Sequence, residues 1–254
     1  MTAQQDNVRL EQTLTLLWGS HSRPVGRTGL TINDFVTTAI ALVRAEGIDA
    51  LSMRNIASRL GVRAMAAYGF APGKSAIVAL MVDRAYDGMY PAGEEPTTAD
   101  WRMGLRQVAE ANRKLHRANP WLAELQPARS PMGPRELLKH ELELAPLDGV
   151  GLSDFEMDQA LAQLLNLTTQ AARLENQAAA DRVSTGIDDV EWWVQAMPVL
   201  ERVVDPQRFP LTVRVGRTVN DGRDGAFWGD NAFDFGVERL LDGIEALIMR
   251  RRAG

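Results

Sequence analysis

Between Thr31 and Glu46 the apolar residues fall on one helical face. Ile32, Phe35, Val36, Ala39, Ile40 and Val43 follow the i, i+3, i+4, i+7 rule, and the positions between them are mostly polar. Thr31 is a natural N-cap with Asp34 in the capping-box position, and Gly47 stands where a C-cap glycine belongs. Ser52 caps a second helix with Met53, Ile56, Ala57 and Leu60 inward; Gly61 stops it, and a third begins near Arg63. Pro72-Gly73 interrupts the pattern before a fourth helix, about Lys74 to Tyr90. Pro91, Gly93 and Pro96 mark a seam, beyond which the helical period returns over about 99–118, 134–145, 153–180, 188–204 and 232–252. The prolines, glycines and "NDGRDG" between Asp205 and Asp230 predict a long loop with one extended piece, "LTVRV". There is no internal repeat.

The abrupt break at Gly61 has a specific meaning. Two short helices meeting at a steep angle need a small residue at the crossing and a glycine to turn the chain. Ala57 lies four residues before Gly61, and Ile56, Leu60 and Val62 seal the crossing. This is the spacing of a helix-turn-helix, whose second helix enters the major groove with its N-terminal side chains at the bases. Arg63, Ala64 and Met65 sit at that leading edge, with Tyr68 a turn later and Lys74 after the next break. Charge fits the same picture. Residues 20–75 hold seven basic side chains against three acidic ones, although the whole chain carries −5. A basic front end on an acidic body suits a chain that meets phosphate.

Composition narrows the rest. With no cysteine, disulfides and thiolate metal sites are excluded, and a reducing cytoplasm fits. The polar start, MTAQQDNVRL, lacks the apolar core of a signal peptide, and the longest apolar run, Ala76 to Val82, is too short to cross a bilayer. The expectation is a cytoplasmic protein with no membrane partner.

"GLTINDFVTTAIALVRAEGIDALSMRNIASRLGV", followed by an A-x-Y pattern and "PGK", resembles the N-terminal domain of the TetR family of transcriptional regulators. The resemblance runs from about Gly29 to Asp83, and "LLWG" and "FDFGVERLLDGIEALI" are similar to the two ends of an actinobacterial-type subgroup. The resemblance implies an all-α homodimeric repressor in which Tyr68, Lys74 and Thr31 hold phosphates, chemistry that a phenol, an ammonium and a helix N-terminus can supply. With Arg54, Arg63, Ala64 and Met65 these make the candidate DNA-binding set. The chain departs from the family pattern at Arg63, Ala67 and Gly69.

No catalytic or metal constellation emerges, and no cofactor is expected. "HELEL" at His140 has Leu144 where a zinc helix needs its second histidine and reads as a charged helix face. "GVGLSD" lacks the third glycine of a dinucleotide loop. The larger half offers an apolar interior with polar intrusions, the usual make-up of a ligand pocket between helices. Its candidate lining is Trp101, Leu105, Asn112, His116, Trp121, Phe155, Thr168 and Trp192, each equally readable as ordinary core. On the last helix Val237, Leu240, Leu241, Ile244, Leu247 and Ile248 make an apolar stripe too wide for one neighbour, and Gly236 and Gly243 suggest close approach of a partner copy.

The expected organisation is an N-terminal arm (1–28), a helix-turn-helix DNA-binding domain (29–90) and a larger helical ligand-binding and dimerisation domain (97–254). The expected function is a non-enzymatic regulator, released from a palindromic double-stranded DNA operator by a small hydrophobic effector. A helical protein-interaction module with vestigial DNA binding stands as the alternative.

Overall fold

The computed structural model describes residues 3–125, 130, 132–221 and 228–253. Among them the chain forms twelve α-helices: α1 Ala3–Leu17, α2 Ile32–Glu46, α3 Met53–Arg59, α4 Ala64–Ala67, α5 Lys74–Ala85, α6 Trp101–Ala118, α7 Trp121–Leu125, α8 Pro134–Leu144, α9 Asp154–Thr185, α10 Asp189–Val203, α11 Pro210–Asp221 and α12 Trp228–Ala253. The fold is all-α.

Local chemistry sets the helix ends that matter. The Thr31–Asp34 capping box opens α2, and Ser52 caps α3 by accepting from the Asn55 N–H at 3.1 Å. Gly61 turns the chain at φ +67, a left-handed conformation that favours glycine, and the Val62 N–H closes the turn on the Ala57 carbonyl at 3.0 Å. Asp100 caps α6, and a Ser153–Glu156 capping box opens the 32-residue α9.

Two hydrophobic cores follow. The first joins Phe35, Leu42, Ile56, Ala57, Ala67, Phe70, Ile77 and Met81, with Phe35 and Phe70 stacked at 5.0 Å. Leu17 of α1 and Trp121 and Leu122 of α7 belong to it too. The expected arm is therefore a helix whose end is part of this core, and α7 crosses over from beyond the seam. The second core joins Leu105 and Val108 of α6, Leu161 and Leu164 of α9, and Phe233, Val237, Leu241, Ile244 and Ile248 of α12.

Several expectations are corrected. The fourth helix stops at Ala85, short of Tyr90. "LTVRV" is helical, not extended, because Pro210 starts α11 and the Val213 N–H reaches the Phe209 carbonyl at 3.1 Å. The expected long loop is cut by this helix and by the start of α12, and its "GRDG" lies outside the described residues. Of the positions that depart from the family pattern, Ala67 is a buried contact of the first core, and Gly69 lies in the turn after α4.

Helix α5 links the two halves. Its Ala76, Ile77, Ala79, Leu80, Met81 and Val82 are all buried, and so is the carboxylate of Asp83. Asp83 Oδ1 accepts from the backbone N–H groups of Arg135 (2.9 Å) and Glu136 (3.1 Å), and Oδ2 from the Arg135 guanidinium (3.0 Å). It thus caps the N-terminus of α8 from another helix, where donors and the helix dipole favour an anion. Gly133 makes room, since a Cβ there would lie 2.2 Å from the carboxylate oxygen. A second tie runs from Arg44 of α2 to Asn119 at the end of α6, at 2.8 Å. Replacing Asp83 with Ala leaves the two α8 N–H groups without their partner and Arg135 with Asp87 alone, and urea denaturation is expected to register a loss of about 2–4 kcal/mol. A loss below about 0.5 kcal/mol, the size of an ordinary surface change, would mean that the cap contributes nothing.

Candidate functional sites: a basic reading head and a polar interior

Helices α3 and α4 present an exposed edge that carries Arg54 and Arg63. Behind them Ile56, Ala57, Ala67 and Phe70 are fully buried. In front, Arg54, Arg63, Ala64, Met65, Tyr68 and Lys74 are all exposed, Met65 at 80% and Tyr68 at 53%. Arg63 is the N-cap residue of α4, Ala64 and Met65 form its first turn, and Lys74 begins α5. Five of the six lie on α3, α4 or the residues flanking α4, and Lys74 stands just beyond at the start of α5. An open groove of about 370 Å³ runs beside them, between Glu11, Gln12, Thr15 and Leu16 of α1 and the Tyr68–Pro72 segment.

Thr31 stands apart from them as the N-cap of α2. Its hydroxyl donates to Asp34 Oδ2 at 2.7 Å, its N–H donates to the same oxygen at 2.8 Å, and its hydroxyl oxygen accepts from the Asp34 N–H at 3.2 Å. The next free donor but one is spent as well, because the Asn33 N–H reaches the His21 carbonyl at 3.1 Å. The hydrogen bonds from Thr31 hold the Asp34 carboxyl below the usual carboxylate range, so a negative charge occupies this helix end. Thr31 caps α2, and the Asp34 carboxylate shares this helix end.

The second site is a polar interior where α5, α6, α7, α8 and α9 meet. Glu143 is completely buried and accepts from Tyr90 Oη (2.8 Å), Asn112 Nδ2 (2.6 Å) and Lys139 Nζ (2.6 Å). The Lys139 ammonium stands 5.3 Å from the Tyr86 ring centroid. Burial, then the neighbouring carboxylates, push both tyrosine hydroxyls above their ordinary range. The charged face expected at "HELEL" is corrected: Lys139 and Glu143 turn inward because they neutralise one another one helical turn apart, with Asn112 and Tyr90 completing the carboxylate. Nearby, Arg113 and Arg117 of α6 share Glu175 of α9 at 3.0 and 2.9 Å, and Arg173 donates to the Ala123 carbonyl of α7 at 3.0 Å.

Three buried polar atoms here have no partner: His116 Nδ1, Trp121 Nε1 and Glu136 Oε2. His116 is held neutral, its pKa lowered to about 4 by burial and then by the charges of Lys139 and Arg173.

The sequence-derived lining is divided by the structure. Asn112, His116, Trp121, Leu105 and Thr168 are buried, Thr168 with its hydroxyl donating to the Leu165 carbonyl at 2.7 Å. Leu105 lies in the second core and Trp121 in the first. Trp101 is half-buried at the edge of the second core. Phe155 is corrected: it is 73% exposed in the first turn of α9 and lines nothing internal. Trp192 is 49% exposed on α10, a helix none of whose residues is buried. The sequence reading missed Tyr86, Tyr90, Lys139, Glu143, Asp83 and Arg135. The i, i+4 spacing of Lys139 and Glu143 was the one available signal, and such spacing occurs more often on solvated faces.

The stripe on α12 is corrected as well. Val237, Leu241, Ile244 and Ile248 are buried inside their own chain against α6 and α9, and Gly236 serves contact with Leu167 of α9, 2.9 Å from a Cβ built there. Leu240 and Leu247 remain half-buried on the neighbouring stripe, and a Cβ on Gly243 between them would meet open space.

Residues 93–248 match the family model described as the tetracyclin repressor-like C-terminal domain. The HTH-type transcriptional repressor DrrR1 of Streptomyces coeruleorubidus is 32% identical over 249 residues, spanning 96% of this chain and 88% of that protein. Apo ActR from Streptomyces coelicolor superposes with a TM-score of 0.71 at 23% identity, over 87% of this chain and 97% of ActR. The structure of ActR in complex with (S)-DNPA gives 0.69 at 25% identity, over 85% and 98%.

His116 makes stability depend on pH. Its folded pKa of about 4 lies below the ordinary histidine value of 6.5, so between those values the unfolded chain binds a proton that the folded chain refuses. Above pH 6.5 the group contributes nothing; as pH falls toward 4 it costs up to about 3 kcal/mol and then levels off. His116→Gln is expected to flatten the dependence of unfolding free energy on pH between 6.5 and 4. An unchanged slope would place the sensitivity elsewhere.

Proposed function

The chain belongs to the TetR family of transcriptional regulators, and from that premise we propose that it is a homodimeric repressor of a palindromic DNA operator, released by a small, largely apolar effector. DNA binding is assigned to residues 29–90, and effector binding and dimerisation to 97–254. The observation that carries the proposal is the reading head: free, exposed Arg54, Arg63, Tyr68 and Lys74 on a helix pair whose opposite face is fully buried. In this reading Arg63, Ala64 and Met65 face bases, and Tyr68 and Lys74 hold backbone phosphates. The partner DNA places the working protein in the cytoplasm.

The effector reading draws on ActR, solved with a small molecule bound, and on the polar interior. Charges there are paired with one another, whereas His116 and Trp121 each keep a polar atom unpartnered. An effector of apolar body with a hydrogen-bonding group would complete them. Helix α5 then carries the signal, since it begins with Lys74 at the DNA face and near its end places Asp83 on the N-terminus of α8. An effector that favours one placement of α8 shifts the separation of the two reading heads, and only such differential binding releases DNA. The second copy docks on the Leu240–Gly243–Leu247 stripe of α12.

Two measurements test this. Lys74→Ala, losing one ionic phosphate contact per protomer, is expected to flatten the slope of log affinity against log salt by about 1.8 for a dimer. Equal slopes would make Lys74 a solvated charge, and absence of DNA binding by the wild type would leave the protein-interaction alternative. Leu240→Glu with Leu247→Glu is expected to give folded monomers by sedimentation that no longer hold operator. A folded double variant that still sediments as a dimer would remove α12 from the interface.

A further inference from the structure

The connection between α1 and α2 is a built hairpin, and it leans on the recognition element. Pro24 and Thr31 pair as an isolated antiparallel bridge, and the Val25 N–H donates to the Leu30 carbonyl at 2.7 Å. The Thr28 hydroxyl donates to the Val25 carbonyl at 2.8 Å and accepts from the Leu30 N–H at 3.2 Å. Its base is fastened by the Asn33 N–H on the His21 carbonyl and by the His21 ring, whose Nε2 lies 2.6 Å from the Leu16 carbonyl. Val25 and Leu30 pack on the first core, and Val25 Cγ1 abuts Gly69, 3.6 Å from a Cβ built there. Gly69 directly follows Tyr68, so the hairpin stands at the same flank as the expected phosphate contacts.

Two guanidinium groups ride on this hairpin. Arg23 and Arg27 are exposed and have no hydrogen-bond or ion-pair partner among the described residues. Each is two residues from Val25, so its Cα lies within about 7 Å of the residue that touches Gly69. The acids on this flank are Asp34, held by Thr31, and Glu11 across the groove. At the α2 N-terminus beside them the N–H groups of Thr31, Asn33 and Asp34 are bonded within the chain, and the Asp34 carboxylate lies on this end.

We propose that Arg23 and Arg27 are phosphate contacts of the DNA-binding surface, supplying cations beside a helix end that carries the Asp34 carboxylate. The inference rests on the DNA-binding reading above. Its physical content is a rigid mount: strapped to the core by main-chain bonds, the hairpin brings both cations to the DNA without the ordering entropy that a loose arm would lose. Phosphate contacts of this kind strengthen binding to all sequences alike and are read in the salt dependence.

The test uses the full-length protein and a duplex enriched from a random library by the wild type. Arg23→Gln with Arg27→Gln removes two charges per protomer and is expected to lower the salt slope by about 3.6 for a dimer. Sequence preference should stay as it was. Arg23→Lys with Arg27→Lys keeps the charges and is expected to restore the slope. An unchanged slope in the Gln variant, with wild-type binding intact, overturns the proposal while leaving the DNA-binding reading in place. So does a Lys variant as impaired as the Gln variant, because that result would make the arginines structural. Failure of the wild type to enrich any duplex overturns both.

Discussion

A buried carboxylate organises this molecule. Asp83 sits on a helix hidden along nearly its whole length, and an anion in that position is tolerable only with several strong donors around it. The backbone of α8 supplies two and Arg135 a third. The requirement works in both directions: α8 gains a cap that its own leading residue, Gly133, cannot provide, and α5 gains a fixed neighbour. Since α5 also begins with Lys74, just after α4, the demand for charge compensation ties the helix-turn-helix to the larger half of the chain.

The same economy governs the interior beyond it. Glu143 is enclosed by Tyr90, Asn112 and Lys139, and Glu175 by Arg113 and Arg117, so the charges that are buried are buried in pairs. His116 lies among cations and stays neutral instead. The long helices are tied on their outer side by ion pairs, as where Arg102 and Arg106 of α6 meet Glu238 of α12, whose carboxyl the two arginines hold down at about 2. Polar groups therefore specify how α5, α6, α8, α9 and α12 are set against each other, while the apolar cores supply most of the driving force. The unpartnered atoms of His116 and Trp121 stand out against this background of satisfied groups.

Much of the fold was legible because its signals are local. The capping box at Thr31, the Ser52 cap, the glycine at Gly61 and the period of α2, α3, α6, α9 and α12 each lie within one or two turns of sequence. What was misread had ambiguous or absent local signals. "LTVRV" alternates as well as a strand does, and only Pro210 hinted at a helix. Helix α1 is largely polar, and its attachment through Leu17 depends on residues far along the chain.

The sequence by itself determined the helix-turn-helix and its exposed chemistry, since a turn, a crossing and a recognition edge are set by neighbours in the chain. It also determined that α12 has a wide apolar face. Only the tertiary structure decided that most of this face is filled by α6 and α9, because periodicity reports that a face is buried and says nothing of what buries it. It likewise decided that Phe155 looks outward and that Lys139 and Glu143 look inward. Glu143 could turn inward because Tyr90 and Asn112 arrive from distant segments to complete its carboxylate, whereas nothing among the described residues packs over Phe155, and such encounters are a property of packing alone.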